Sequence, residues 1–207
     1  MKTIFWNVDT LNDFMNKNGK LYVQNAESIK PNLEKLTKYA AKNKLTVINS
    51  ADYHTKESKE ISQTPDFTNT FPEHSIRKTY GAEFIDETYP KSPYVIDWKD
   101  KDIDICKIKR NRNIIIYKDI FDVFTGNPYT DKIIETIKPD RAVVYGVATN
   151  VCVDYTVKGL LERGIEVFYV RDAIKELPNL PLEEVLSCWK NKGAKSVTTK
   201  EVLEGKL

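Results

Sequence analysis

Short apolar segments recur along the chain, separated by longer segments whose apolar residues have helical spacing. The short segments are rich in β-branched and aromatic residues, as in parallel strands buried on both faces of a sheet. They are residues 3–8, 45–51, 113–117, 141–147 and 165–170. The longer segments are typical of amphipathic helices that cover such strands. They are residues 27–44, 129–138, 151–164 and 181–193.

This alternation of strands and helices predicts an α/β fold. We expect a doubly wound, mostly parallel sheet of about six strands flanked by helices. The whole chain, residues 1–207, has the length of one domain. Residues 52–112 break the pattern with prolines and many charges. We therefore expect an irregular insertion there that walls the site.

Composition and charge restrict the partners of the protein. The chain has 32 basic and 30 acidic residues, a formal net charge of +2, which gives no basic surface for nucleic acid or an anionic membrane. Its apolar N-terminal stretch is too short and too polar for a signal peptide or a membrane span. We expect a cytoplasmic protein with a small-molecule substrate. Three cysteines cannot all pair, which argues against a disulfide scaffold and leaves a reactive thiol open.

Polar residues follow four of the predicted strands. In an open α/β sheet, ligands bind beyond the carboxyl ends of the strands. Asp9, Asp52 and Lys118 directly follow strands, and Cys152 lies a few residues after another, at the start of a predicted helix. Unpaired N–H groups at a helix start favour an anion, so we expect a lowered thiol pKa, a nucleophilic sulfur and stabilisation of an oxyanion. The alternative for Cys152 is a small buried packing residue, the role that we assign to Cys188.

The two histidines of the chain, His54 and His74, both lie in the irregular insertion. Asp52 and His54 form an Asp-x-His pair just beyond a strand. One carboxylate and two imidazoles suit Zn²⁺, Fe²⁺ or Mn²⁺ with coordination positions left open, although loop histidines are often merely solvated. A fourth ligand could come from four nearby residues, of which we favour Glu60; the candidates are Glu57, Ser58, Glu60 and Asp66.

Five motifs occur together in a characteristic order. They are "FWNVDTLNDF", "ADYH", "FPEHSIRKTYGAEF", "IIIYKDIFDVF" and "GVATNVCVDYT". The set resembles the isochorismatase-like cysteine hydrolases and, within them, the nicotinamidase (pyrazinamidase) branch. The resemblance extends over residues 3–175, most of the chain.

The resemblance implies a catalytic triad of Asp9, Lys118 and Cys152. Asp9 would accept the thiol proton, and Lys118 would hold the charges of the other two in position. The resemblance also implies a cis peptide bond before Ala148. The N–H groups of Ala148 and Cys152 would then form the oxyanion hole.

A metal site and a ring-binding site are implied in the same way. The metal ligands of nicotinamidases correspond to Asp52, His54 and His74, with a divalent ion for which Zn²⁺ is our first choice and Fe²⁺ or Mn²⁺ the alternatives. The aromatic residues that sandwich the pyridine ring correspond to Phe14 and Phe71. Members of the family often form dimers or tetramers, which allows a homo-oligomer here.

The resemblance implies hydrolysis of nicotinamide to nicotinic acid and ammonia through a cysteine thioester. Four positions depart from the nicotinamidase pattern: Leu11 replaces a glutamine, Ser58 a histidine, Phe71 a tryptophan and Asn150 an aspartate. Another hydrolase of the superfamily therefore stays an alternative, acting on a different small amide, a carbamoyl compound or a vinyl ether. A non-catalytic α/β binding or signalling module is the alternative from another class.

Overall fold

A single seven-stranded sheet forms the centre of the protein. The computed structural model describes residues 1–178 and 180–207. In chain order the strands are β1 (Thr3–Val8), β2 (Thr46–Asp52), β3 (Tyr94–Ile96), β4 (Asn113–Lys118), β5 (Arg141–Val147), β6 (Glu166–Lys175) and β7 (Lys195–Val197). Across the sheet the order is β3-β4-β2-β1-β5-β6-β7, and in the described residues each pair of neighbouring strands in this sheet is parallel.

Helices connect the strands, as the sequence pattern predicts. They are α1 (Asn12–Met15), α2 (Lys30–Lys42), α3 (Ile105–Arg110), α4 (Val123–Gly126), α5 (Thr130–Ile137), α6 (Cys152–Glu162), α7 (Leu182–Asn191) and α8 (Thr199–Leu203). Short 3₁₀ turns occupy Ala26–Ile29, Tyr80–Ala82 and Asp86–Thr88. Within the described residues, no helix is both long enough and apolar enough to cross a bilayer.

Both faces of the sheet are covered by aromatic and aliphatic side chains. Successive residues of a strand point to opposite faces. Phe5 of β1 accordingly packs against Tyr39 of α2 and Tyr145 of β5, whereas Trp6 packs against Phe124 of α4. Burial on both faces explains why the strands read as unbroken apolar runs rather than as alternating ones.

The predicted fold class is confirmed, with differences at the edges of the sheet. The five strands named from the sequence are all present, and β6 continues to Lys175. The short strands β3 and β7 were not predicted, because three residues carry too little pattern. The charged insertion also contains a helix that was not predicted, α3. It begins after Asp104, whose carboxylate accepts the N–H groups of Cys106 and Lys107.

The strand order places four polar residues around the centre of the carboxyl edge. Strand β1 lies between β2 and β5, and Asp52 of β2 is the register partner of Lys118 of β4. Gly146 of β5 has a φ of 121°, and a Cβ there would lie 2.0 Å from the Val8 carbonyl oxygen. Only glycine allows β5 to approach the end of β1 this closely.

Candidate active site

Three strand ends bring an acid, an amine and a thiol together. Lys118 Nζ lies 2.9 Å from Asp9 Oδ2 and 3.7 Å from Cys152 Sγ. One carboxylate oxygen of Asp9, one of Asp52 and the Cys152 sulfur all lie within 4.8 Å of one another. All four side chains are buried. The structure therefore assembles at one sheet edge the residues that the sequence assigns to catalysis.

Lys118 also forms an ion pair with Asp52, a contact that the sequence analysis missed. Its Nζ donates a hydrogen bond to Asp52 Oδ1. The two residues face each other as the last residues of neighbouring parallel strands. One ammonium group thus compensates two buried carboxylates, those of Asp9 and Asp52. The matching positions at two strand ends were the signal that could have revealed this pair.

The turn after β1 fixes the Asp9 carboxylate. Asp9 has a φ of 47°, in the left-handed region that aspartate adopts more readily than most residues. Its N–H donates to Ser50 O at 3.0 Å. The hydroxyl of the next residue, Thr10, donates to Asn7 Oδ1 at 3.0 Å and lies 2.7 Å from the Thr88 hydroxyl oxygen. These buried contacts hold the turn from which the Asp9 side chain reaches Lys118.

Cys152 is the first residue of α6 and follows a tight loop. The peptide bond between Val147 and Ala148 is cis, which confirms that prediction. The N–H groups of Val151 and Val153 both donate to Ala148 O at 3.1 Å. Between them, the Cys152 N–H finds no main-chain acceptor within residues 1–178 and 180–207. It is therefore available to a developing oxyanion.

The expectation of a lowered Cys152 pKa is wrong for this site. Burial raises the pKa of the thiol well above its ordinary value, Lys118 opposes that shift, and the charges of Asp9 and Asp52 add to it. The start of a helix cannot offset complete burial beside two carboxylates. The thiol keeps its proton in the free site, so its activation requires a base.

Asp9 has the properties of such a base. Burial raises the pKa of Asp9 to about 6, with Lys118 lowering it and Asp52 raising it. For Lys118, burial acts to lower the pKa, but the charges of Asp52, Asp9 and Cys152 raise it well above the ordinary value. The amine consequently stays charged while Asp9 exchanges a proton near neutral pH.

A second buried group, Asp52, His54, Glu60 and His74, adjoins the first. One ligand atom from each of the four lies within 4.8 Å of the others. His74 Nε2 is 3.6 Å from Asp52 Oδ2 and 3.7 Å from Glu60 Oε1. His54 Nε2 is 3.8 Å from Asp52 Oδ1 and 4.0 Å from Glu60 Oε1. These spacings leave room for a cation at the centre.

The donor atoms of this cluster fit a divalent metal ion. Asp52 Oδ2, His54 Nε2 and His74 Nε2 are buried and have no hydrogen-bond partner in the described part of the chain. Buried polar atoms rarely stay unpaired, and a shared cation would satisfy all three. Two imidazoles and two carboxylates suit Zn²⁺, Fe²⁺ or Mn²⁺.

Hydrogen bonds outside the cluster orient His74 and Glu60, and an acidic side chain lies close to His54. His74 Nδ1 lies 2.8 Å from a main-chain carbonyl oxygen, and His54 Nδ1 lies 3.6 Å from Asp119 Oδ1. Glu60 Oε2 accepts the Phe121 N–H at 2.6 Å. Hydrogen bonds such as those of His74 and Glu60 fix the direction of metal-binding side chains and the tautomer of a histidine. Asp119 was missed in the sequence, although it follows Lys118 directly.

Of the four candidates for a fourth ligand, the structure places only Glu60 in the cluster. Glu57 and Asp66 are exposed, and Asp66 accepts neighbouring N–H groups of its own loop. Ser58 is buried outside the cluster, where its hydroxyl donates to Asp119. The loop that follows His54 folds back toward β2 and buries Glu60 beside the two histidines, as its prediction as a fourth ligand requires.

A narrow cavity joins the two groups. Its volume is about 20 Å³, which holds about one water molecule. The ring centroids of Phe14 and Phe71 lie 5.3 Å and 6.2 Å from that of His74. The lining residues are Phe14, Leu21, Val23, Asp52, Glu60, Phe71, His74, Ala148, Val151, Cys152 and Leu177. The predicted ring-binding residues and the thiol therefore share one cavity.

The other two cysteines lie away from this cavity. Cys106 is exposed on α3, and Cys188 on α7 is half-buried. The expected core position of Cys188 is wrong, because the neighbouring Trp189 fills the core instead and is fully buried. Among the three thiols, Cys152 alone contacts an acid–lysine pair in the described structure.

Comparison with known proteins agrees with the architecture. The sequence profile of the isochorismatase domain matches residues 3–201. The chain belongs to the isochorismatase family of hydrolases. Comparison with curated protein sequences finds no match.

Solved structures similar to this isochorismatase-family chain include enzymes with different substrates. The pyrazinamidase of Pyrococcus horikoshii in complex with zinc is 24% identical with a TM-score of 0.74, covering 96% of this chain and 99% of that one. The Acinetobacter baumanii nicotinamidase/pyrazinamidase is 19% identical with a TM-score of 0.77, covering 97% and 98%. The N-carbamoylsarcosine amidase of Thermoplasma acidophilum is 21% identical with a TM-score of 0.75, covering 97% and 98%. At these identities the likeness establishes the fold.

Proposed function

We propose that this protein is a nicotinamidase-type amidohydrolase that converts nicotinamide to nicotinic acid and ammonia through a thioester on Cys152. One observation carries the proposal. Lys118 contacts Asp9, Cys152 and Asp52, so the acid–lysine–thiol group and the buried Asp/His/Glu/His cluster adjoin a single apolar cavity.

In the first half of the reaction, Asp9 takes the proton of the Cys152 thiol as the sulfur attacks the amide carbon. Lys118 stays charged and offsets the negative charge of the site. The N–H groups of Ala148 and Cys152 donate hydrogen bonds to the oxyanion of the tetrahedral intermediate. Asp9 then returns the proton to the amide nitrogen, the C–N bond breaks, and ammonia leaves.

In the second half, a water molecule attacks the thioester. Asp9 accepts a proton from the water as the new C–O bond forms. The C–S bond then breaks, Asp9 returns the proton to the Cys152 sulfur, and the carboxylic acid leaves. Asp9 thus acts four times on a proton, which suits a carboxyl group with a pKa of about 6.

The metal cluster would orient the substrate. Asp52, His54, His74 and Glu60 would hold the ion, with Zn²⁺ preferred and Fe²⁺ or Mn²⁺ as alternatives. When bound, the ion supplies a Lewis acid for a ring nitrogen of the substrate. The rings of Phe14 and Phe71 beside His74 would pack on the pyridine and hold the amide toward Cys152.

A different small amide, a carbamoyl compound or a vinyl ether is the alternative substrate. The fold is shared with N-carbamoylsarcosine amidase as well as with nicotinamidases. The triad would serve either amide class without change. The triad alone would not need a metal ion to hydrolyse an amide. The buried metal cluster therefore favours a substrate with a ring nitrogen that the ion could bind.

Turnover of nicotinamide by metal-loaded protein tests the substrate. We expect the zinc-loaded protein to release ammonia from nicotinamide and chelator-treated protein to lose that turnover, with metal content measured on both samples. Hydrolysis of an N-carbamoyl amide but not of nicotinamide would favour the alternative. No release from either compound would contradict the proposed activity.

The rate should fall on acidification with the protonation of Asp9. Because burial raises the pKa of Asp9 to about 6, the carboxylate predominates above that pH and the neutral acid below it. Only the carboxylate accepts the thiol proton, so kcat/KM should decrease about tenfold per pH unit below that pKa. A kcat/KM profile of the zinc-saturated enzyme measures this. A profile that is flat between pH 7 and about 4 would exclude Asp9 as the base.

A further inference from the structure

The size of the cavity makes its apolar walls decisive for substrate choice. An engineered cavity that binds benzene measures about 150 Å³, whereas this one measures about 20 Å³. An aromatic amide can reach Cys152 only if a wall yields. Most of the apolar lining belongs to the buried core, but Leu21 and Leu177 are half-buried. These two side chains are the walls with space on their outer side.

The two half-buried walls are held differently. Leu21 donates its N–H to the Asp13 main-chain carbonyl at 3.2 Å. Leu177 follows the end of β6, and in the described residues its main chain bonds only to the Asn150 side chain. The Leu177 N–H donates to Asn150 Oδ1 at 3.0 Å, and Asn150 Nδ2 donates to Leu177 O at 2.9 Å and to Leu180 O at 3.3 Å.

This bonding pattern requires an amide. Leu177 and Leu180 each offer a carbonyl acceptor, and Leu177 also offers an N–H donor. An asparagine side chain can bond to all three groups because it both donates and accepts hydrogen bonds. An aspartate would accept the N–H but would turn an oxygen toward both carbonyls. Asn150 also lies between Ala148 and Cys152, so it connects the Leu177 wall to the loop that carries the thiol.

We propose that Asn150 is a positioning residue for substrate size: its carboxamide holds Leu177 against the cavity and so limits the acyl group that reaches Cys152. The inference rests on the proposed amide hydrolysis for its kinetic consequence. Its structural part, that Asn150 keeps Leu177 in the wall of the cavity that also contains the thiol, stands on the three hydrogen bonds and can be tested without turnover.

Substrate preference tests this in three variants, two at Asn150 and one at Leu177. The measured quantity is kcat/KM for quinoline-3-carboxamide divided by kcat/KM for nicotinamide, which differ by one fused ring. We expect Leu177→Ala and Asn150→Ala to raise this ratio about tenfold. Asn150→Asp, which keeps the shape but cannot donate, should match Asn150→Ala. A ratio cancels losses of folded protein or of general activity.

Asn32→Ala is the matched control. Asn32 is also half-buried, and its Nδ2 donates to the Asp172 main-chain carbonyl at 2.7 Å, away from the cavity lining. Its loss should leave the substrate ratio unchanged. An equal change in the control would mean that the ratio responds to general loosening, which would overturn the specific role of Asn150.

Alkylation of Cys152 separates the inference from the proposed function. In a Cys106→Ser/Cys188→Ser background, N-ethylmaleimide should modify Cys152 at least about fivefold faster after Asn150→Ala. The reason is that Leu177 loses its hydrogen bonds to Asn150, which opens the cavity wall and exposes the thiol. If neither amide is hydrolysed by any variant, the proposed function fails, and the alkylation rate still decides the inference. Faster alkylation in Leu177→Ala but a wild-type rate in Asn150→Ala would overturn it.

Discussion

Replacing Cys152 with alanine is expected to abolish amide hydrolysis while the protein stays folded. The sulfur is 3.7 Å from Lys118 Nζ, and among the residues that the structure describes no other thiol lines the cavity. Without it, Asp9 and Lys118 have no nucleophile to activate. Loss of the nucleophile in comparable triads lowers kcat by about 10⁴-fold or more. The change removes one sulfur from a buried site, at a stability cost of about 1 kcal/mol.

The other cysteines provide matched controls for this result. Cys106→Ala and Cys188→Ala should each keep nearly full activity, since the first is exposed and the second half-buried. Ammonia release from nicotinamide and thermal unfolding should be measured on all three variants. Activity of the Cys152→Ala protein above about one thousandth of wild type would rule out the thioester route.

The centre of the fold could be predicted because its strands are buried on both faces. β1, β4 and β5 are runs of apolar residues with few interruptions, a pattern that little else in a small domain produces. The strands β3 and β7 could not be predicted, because each has three residues and lies at an edge of the sheet. Their conformation depends on pairing with one neighbour rather than on their own sequence.

Much of the site was predictable for a topological reason. Residues that follow parallel strands meet at one edge, which places Asp9, Lys118 and Cys152 together before any contact is known. The ion pair of Lys118 with Asp52 was not predicted, because the positions of the two residues at strand ends indicate it only once β2 and β4 are known to be neighbours. The direction of the Cys152 pKa shift was wrong for a similar reason. Helix position is visible in sequence, but burial beside carboxylates is a tertiary property.

The contact of Lys118 with two carboxylates leads to the second large expected effect. Lys118→Met should destabilise the metal-free protein by about 3–5 kcal/mol at pH 7, the cost of leaving buried charges unpaired. It should also remove most of the activity, because the Asp9 carboxylate loses the charge that keeps it ionised. Lys192→Met is the control: its ion pair with Glu162 is largely exposed, and its loss should cost at most about 1 kcal/mol.

The pH dependence of that loss identifies its cause. Burial raises the pKa of Asp9, and without Lys118 that pKa should rise further. Burial also acts to raise the pKa of Asp52, but Lys118 and the two histidines hold it well below its ordinary value, so it too should rise when Lys118 is lost. The penalty is full above the two pKa values of the variant. It fades as the pH falls from those values toward about 3.9, the ordinary pKa of an aspartate, because the two carboxyl groups of the folded variant take up protons and no longer carry unpaired charges. Urea unfolding at pH 7 and at about pH 5 should therefore show a smaller difference between Lys118→Met and wild type at the lower pH.

A second substitution should recover part of the lost stability. In the Asp9→Asn/Lys118→Met protein, one of the two uncompensated charges is gone, so it should be more stable than Lys118→Met alone by about 1 kcal/mol or more. The same Asp9→Asn change in the presence of Lys118 leaves the amine paired with Asp52. If Asp9→Asn changes the free energy of unfolding equally in the presence of Lys118 and in the Lys118→Met protein, Asp9 and Lys118 are not coupled. The central charge arrangement of the site would then be different from the one described.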